Sequence, residues 1–154
     1  MTKKPHIVYK LPDKSKVPGT TTVLGVLAKP ALIPWSNRLG LKGIKVGEYV
    51  DNLAGIGTLG HDMIMCHLTD KKLISVDYTQ EQIDLAGNSF LSYLNWEKNH
   101  TVEPILVETP LVSEEYRYGG TLDLLATVDG VNTLIDFKTG KALYPEHAVQ
   151  IAAY

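Results

Sequence analysis

The sequence predicts an α/β domain, and three observations carry that expectation. Ile83, Ala86, Phe90 and Leu94 recur at helical spacing behind the capping-box pattern Thr79-x-x-Gln82. Residues 105–112, 121–128 and 131–137 are short, apolar and β-branched, and Asp129-Gly130 between the last two is a two-residue hairpin signal. After Pro145 the apolar period returns to that of a helix. A chain of 154 residues, 44% of them hydrophobic, is long enough to bury the core of one ordinary domain.

In chain order, residues 6–11 read as a short strand, broken by the polar segment 12–18. Thr20, Thr21 or Thr22 is placed to cap a short apolar helix over 23–27, since a hydroxyl there accepts from an N–H that has no partner inside the helix. Pro34 suits the first turn of a helix carrying Trp35 and Arg38: its φ is already helical, and the N–H it lacks would be unpaired there. Gly55-Ile-Gly-Thr-Leu-Gly60 reads as a glycine-rich approach to a helix running through Met63, Ile64 and Met65 toward His67. The helix over 79–99 is expected to pack on the sheet formed by the strands after it. Pro145 and Glu146 suit a first helical turn, and apolar residues recur through 147–154. That pattern reaches Tyr154 with no Gly, Asn or Pro stop signal, so the chain is expected to be truncated at its C-terminus.

Composition narrows the chemistry. Cys66 is the sole cysteine, which leaves no intramolecular disulfide framework, no cysteine cluster for zinc and no iron–sulfur ligation. The basic N-terminus leads into no apolar signal region, and no apolar run approaches the ~20 residues that span a bilayer, so a cytoplasmic protein with no membrane partner is expected. Residues 1–60 carry nine Lys/Arg against three Asp/Glu, and residues 61–154 carry six against fourteen. A basic half can track a phosphate backbone while an acidic half holds cations; a solvated lysine-rich surface explains the same counts.

Gly120-Thr121-Leu122-Asp123 and Asp136-Phe137-Lys138 are the stretches equipped for catalysis. With Asp129-Gly130 as the turn, Val128 pairs with Val131 and Asp123 lies opposite Asp136, their Cβ atoms about 4.5–5.5 Å apart. Asp136 and Lys138, two apart on extended chain, face the same side. Opposed carboxylates repel, and a Mg²⁺ or Mn²⁺ bound through their oxygens removes the conflict. A lysine beside it can orient or deprotonate the attacking water, or neutralise charge on a phosphorane-like transition state. Taken singly, Asp123 reads as a turn or edge residue and Asp136 with Lys138 as a surface ion pair. Their joint placement in apolar strands, where an unpaired charge is costly, favours a site.

Three motifs together, Gly120-Thr-Leu-Asp123, Leu134-Ile-Asp136-Phe-Lys138-Thr-Gly and Gln150-x-x-x-Tyr154, resemble the RecB-like branch of the PD-(D/E)XK nucleases. Gly57-Thr-Leu-Gly-His61 resembles the histidine motif of that branch. Val17-Pro-Gly-Thr-Thr-Thr-Val-Leu and Lys29-Pro-Ala-Leu-Ile-Pro-Trp35 are similar to the opening of its phage-type members, so the resemblance spans nearly the whole chain. It implies a single nuclease domain over residues 1–154 with a restriction-endonuclease-like core: a mixed central β-sheet flanked by the His61 helix and the Gln150 and Tyr154 helix. It further implies that Asp123, Asp136, His61 and the backbone carbonyl of Phe137 hold Mg²⁺ or Mn²⁺, and that Lys138 is the catalytic lysine. Gln150 and Tyr154, at i and i+4 on one helix face, would then contact substrate or metal-bound water. Glu108 is the weaker match for a glutamate that often lies on the strand before the first acid. Without the resemblance, His61 reads as a satisfied core histidine and Gln150 with Tyr154 as ordinary helix surface. His67, off the His61 face, reads as structural, and Trp35 and Tyr116 as core aromatics ahead of base-stacking ones.

The resulting expectation is a Mg²⁺- or Mn²⁺-dependent deoxyribonuclease, an exonuclease acting on single- or double-stranded DNA in phage or bacterial replication, recombination or repair, in a bacterial host cell. One rival is a catalytically inactive nucleic-acid-binding module of the same fold. Another is a carboxylate–metal hydrolase of small phosphoesters. Strand preference, polarity and oligomeric state depend on what blocks or threads the strand, which a motif does not encode.

Overall fold

A computed structural model describes residues 7–27, 29–75, 77–140 and 142–154. His6 and the basic N-terminal stretch lie outside the described residues. Within them the protein is mixed α/β, with two small antiparallel sheets and five helices. Tyr9–Lys10 (β1) pairs with Lys16–Val17 (β2), so the segment expected to be irregular carries the second strand of a small hairpin. Helices Thr20–Leu24 (α1), Leu32–Leu41 (α2), Val46–Leu68 (α3) and Gln80–Glu97 (α4) follow. Strands Val102–Ser113 (β3), Tyr118–Val128 (β4) and Val131–Ile135 (β5) form the larger sheet in the order β3-β4-β5, and Pro145–Ala153 (α5) closes the described chain. No helix among the described residues is long and apolar enough to cross a membrane.

Local chemistry accounts for most boundaries. Thr79 caps α4 as expected: its hydroxyl accepts from the Gln82 N–H at 3.3 Å, and the Gln82 side chain accepts from the Thr79 N–H at 2.9 Å. Pro34 falls in the first turn of α2, and Pro145 opens α5. The threonine cap expected for α1 is absent. Gly19 holds the N-cap position, and Thr20 turns its hydroxyl to the Gly119 carbonyl at 3.0 Å, because that buried carbonyl needs a donor more than the exposed helix end does.

The sheet follows the hairpin register. Val128 pairs with Val131 across Asp129 and Gly130, both at positive φ as a type I′ turn requires, and the ladder runs back to Leu124 and Ile135. It stops there, two residues short of the expected end of β5. Asp136, Phe137 and Lys138 therefore leave the ladder rather than continuing it. The sheet strands pair antiparallel; the expected mixed sheet is reduced, among the described residues, to one parallel bridge between Gly19 and Gly119. Pro104 and Pro110 are tolerated in β3 because it is an edge strand, where a missing N–H costs no ladder bond on the open side.

Leu122, Leu124 and Ala126 alternate as the buried face of β4, and Leu124 is fully buried. Helices α3 and α4 pack through Ile56, Leu59 and Ala86, with Met63, Leu73, Tyr78 and Ile83 around them. The glycine-rich stretch before His61 is the interior of the 23-residue α3, not an approach to it. Its glycines let the chain after β5 come close: a Cβ on Gly57 would stand 3.1 Å from Thr139 Oγ1, and one on Gly60 3.3 Å from Thr139 Cγ2. Contact with the segment carrying Asp136 and Lys138 outweighs the roughly 1 kcal/mol that each mid-helix glycine costs.

Candidate active site

Asp123 lies on the β4 face opposite Leu122 and Leu124, and its side chain is 16% exposed. Its Oδ2 accepts the Phe137 N–H at 2.7 Å. That bond is why the ladder ends: the carboxylate captures an amide that would otherwise continue strand pairing, and the chain at Asp136 is drawn around it. The two acids are thus joined through the backbone of the residue after the second one. The simple face-to-face pair expected from register is replaced by this tighter link.

Asp136 is the more buried acid, with a side chain 5% exposed. A carboxylate at that depth must be compensated, and it is. Lys138 forms an ion pair with its Oδ2, and the Gln150 amide donates to its Oδ1 at 3.1 Å. The same amide nitrogen of Gln150 is 2.9 Å from the Tyr154 hydroxyl, so one turn of α5 is tied to the acid through two side chains. Burial, together with the negative charges of Asp136 and Asp123, raises the Tyr154 pKa above its ordinary value despite the Gln150 contact, and the phenol stays protonated at neutral pH.

His61 reaches the cluster from the middle of α3, with Nδ1 3.5 Å from Asp123 Oδ2. Burial disfavours its charged form, but the hydrogen bond and charge of Asp123, aided by Glu108 and opposed by Lys138, raise its pKa overall. The Phe137 ring is held edge-on between His61 and Tyr93, with centroids 6.1 and 5.5 Å away. Glu108 lies between the ladder pairs Val107–Leu124 and Thr109–Leu122, level with Asp123, and has a φ of 45° in the middle of a strand. A non-glycine residue held there stores backbone strain, which is found where surrounding structure imposes it.

Every residue singled out for the site therefore lies in one neighbourhood: His61 from α3, Glu108 and Asp123 from β3 and β4, Asp136, Phe137 and Lys138 from the segment after β5, and Gln150 and Tyr154 from α5. His67 is elsewhere, bonded to Glu97 at 2.7 Å, as its structural reading requires. Carboxylate oxygens, an imidazole and a backbone carbonyl suit a hard divalent ion such as Mg²⁺ or Mn²⁺. Among the described residues no three His, Cys, Asp or Glu groups stand at ligating distance. In this arrangement Lys138 is paired with Asp136 Oδ2, an oxygen that a cation here would share with it.

Sequence reasoning passed over the packing that sets this geometry. A Cβ on Gly120 would run into the Tyr154 ring, and one on Gly119 into the Tyr9 ring, whose hydroxyl is 2.9 Å from that of Thr121. The Gly119-Gly120 doublet inside a strand was the available signal, since paired glycines there mark close approach on both faces. Lys138 also borders two spaces: a mainly apolar cavity of about 390 Å³ walled by Tyr93, Trp96 and Ile135, and one of mixed lining, about 180 Å³, that includes Thr21, Lys29, Glu146 and Gln150. Compared with known proteins, the chain matches no family model and no curated sequence.

Proposed function

We propose that this protein hydrolyses phosphodiester bonds in DNA with Mg²⁺ or Mn²⁺, as a RecB-like PD-(D/E)XK exonuclease built on a restriction-endonuclease-like core, serving replication, recombination or repair in the cytoplasm of a bacterial host. The observation that supports it is the gathering of His61, Lys138, Gln150 and Tyr154 around two linked carboxylates, Asp123 and Asp136, all drawn from four separate parts of the chain.

When bound, the cation supplies Lewis-acid polarisation of a phosphate and activation of water. Asp123, Asp136, His61 and the Phe137 carbonyl are the groups that would hold it. Gln150 fixes Asp136 Oδ1, and Oδ2, paired with Lys138, is the oxygen that would be offered to the cation. The Lys138 ammonium beside that oxygen would neutralise charge building at the phosphate. Tyr154, kept protonated by its surroundings, is a hydrogen-bond donor toward a phosphate oxygen. The His61 imidazole must be neutral to ligate, so the reaction should favour pH above its raised pKa.

The test is cleavage of end-labelled single- and double-stranded DNA by the protein with Mn²⁺, alongside Lys138→Ala. Loss of about 10²–10³-fold in the variant is expected for removal of one charge-stabilising group. Absence of cleavage by the parent, or equal rates in the variant, would sink the reading. DNA binding indifferent to Mg²⁺ with no cleavage would instead identify an inactive binding module.

A further inference from the structure

Helix α2 buries none of its residues, although it carries Leu32, Ile33, Trp35, Leu39 and Leu41. Trp35, read from sequence as a core aromatic, is only half-buried, and its one ring partner among the described residues is Tyr49 of α3, itself 38% exposed, with centroids 6.2 Å apart. Trp35, Arg38 and Lys42 fall at i, i+3 and i+7, so two cations share the helix face of the indole. Neither cation has a carboxylate partner among the described residues. An aromatic pair with unpaired cations along one face, about 10 Å from first to last at 1.5 Å per residue, is the chemistry that holds unpaired bases and their phosphates.

We propose that α2 and the first turn of α3 form a platform for single-stranded nucleic acid, with bases stacking on Trp35 and Tyr49 and the backbone lying along Arg38 and Lys42. A single strand is specified because a stacked duplex presents no free base face to an indole. Continuity with the candidate active site favours this occupant over a lipid surface or a second copy. Lys29, three residues before α2, is bridged to Glu146 at 3.2 Å, and both line the 180 Å³ cavity that Lys138 and Gln150 also line. A strand on the platform therefore leads toward the acids. The proposal rests on the reading of that site as one that processes DNA, and it names the form of DNA delivered.

Fluorescence anisotropy of a labelled dT₁₂ with the full chain in EDTA tests it without any chemistry. Trp35→Ala should weaken binding about tenfold or more, and Trp35→Phe should restore most of it, because any aromatic face stacks. Arg38→Gln and Lys42→Gln should each reduce the salt slope by about 0.7, the value for one phosphate contact on a single strand. Since no residue of α2 is fully buried, these variants should fold as the parent does, and an unchanged melting temperature verifies it. Equal affinity of Trp35→Ala and the parent for dT₁₂ overturns the proposal. So does a Trp35-dependent dimer in sedimentation, or Trp35-dependent binding to anionic vesicles with none to dT₁₂. The nuclease reading fails separately: binding that depends on Trp35 without cleavage in Mn²⁺ leaves the platform standing, and cleavage insensitive to Trp35→Ala leaves only the nuclease standing.

Discussion

Gly120 sits where β4, α1 and the end of α5 meet. A Cβ built there falls on the Tyr154 ring and 2.7 Å from the Thr20 hydroxyl. Neither neighbour yields cheaply: Thr20 is buried and bonded to the Gly119 carbonyl, and Tyr154 is tied through Gln150 to Asp136. Overpacking of this kind costs about 1–3 kcal/mol. Replacing glycine also removes about 0.4–1 kcal/mol of unfolded-chain entropy. Gly120→Ala should therefore destabilise the protein by about 1–2 kcal/mol, which for a chain of this size lowers the melting temperature by roughly 2–8 °C. The assay is thermal unfolding followed by circular dichroism, with Tyr154→Ala and the double variant completing a cycle. Removing the ring removes the main clash, so the double variant should be more stable than the sum of single effects predicts, by about 0.5 kcal/mol or more. A single variant as stable as the parent, or strict additivity in the cycle, would refute the claim that Gly120 exists to admit Tyr154.

Further consequences are open to measurement. Asp123→Asn removes the hydrogen bond and charge that raise the His61 pKa and leaves burial as the dominant influence, so in metal-free protein His61 should titrate above 6.5 in the parent and below it in the variant, as read from imidazole proton shifts. The parent's His61–Asp123 contact thus adds stability fully present below pH 6.5 and lost as pH rises through the raised folded value; an Asn variant titrating at or above the parent contradicts this. Leu124→Ala, at a fully buried position in the centre of the sheet, should cost about 2–5 kcal/mol in denaturant unfolding. His100 at 2.6 Å and the Thr101 N–H hold the Asp129 carboxyl below its ordinary 3.8, so the support it gives the hairpin is present above pH 3.8 and lost as pH falls through the lowered value. Faster Thr101 amide exchange in Asp129→Ala at neutral pH would show the same loss.

Elements whose cause is local were legible in the sequence. Asp129-Gly130 needs positive φ at both turn positions, so it announced the hairpin and its register as far as Leu124 and Ile135. Thr79 with Gln82, and Pro145, marked helix starts for similarly local reasons. What escaped depends on partners far along the chain. Gly57 and Gly60 read as loop because glycine weakens a helix, but Thr139 must pass against them. Thr20 read as a cap because nothing nearby announces the Gly119 carbonyl. The final ladder pair gave way to a side-chain contact from Asp123 to the Phe137 amide, which alternation alone does not encode. The candidate site was legible as a residue list and the Asp136–Lys138 ion pair as an alternative reading, but the depth at which Asp136 is buried and the strained Glu108 were not. Trp35 and Tyr116 show the limit of hydrophobic identity as a guide to burial: one is half-buried, and the other is 70% exposed.

Helix α3 runs unbroken from Val46 to Leu68 and carries both Tyr49 and His61. Twelve residues separate them, a span of about 18 Å at the helical rise. A rod of that kind works as a ruler: the spacing between the aromatic pair and the buried acids is set by residue number, whatever polymer lies across them. Inserting or deleting a turn of α3 would change the distance between Tyr49 and His61, and with it, on the proposed reading, which repeat unit of a strand on the platform reaches Asp123.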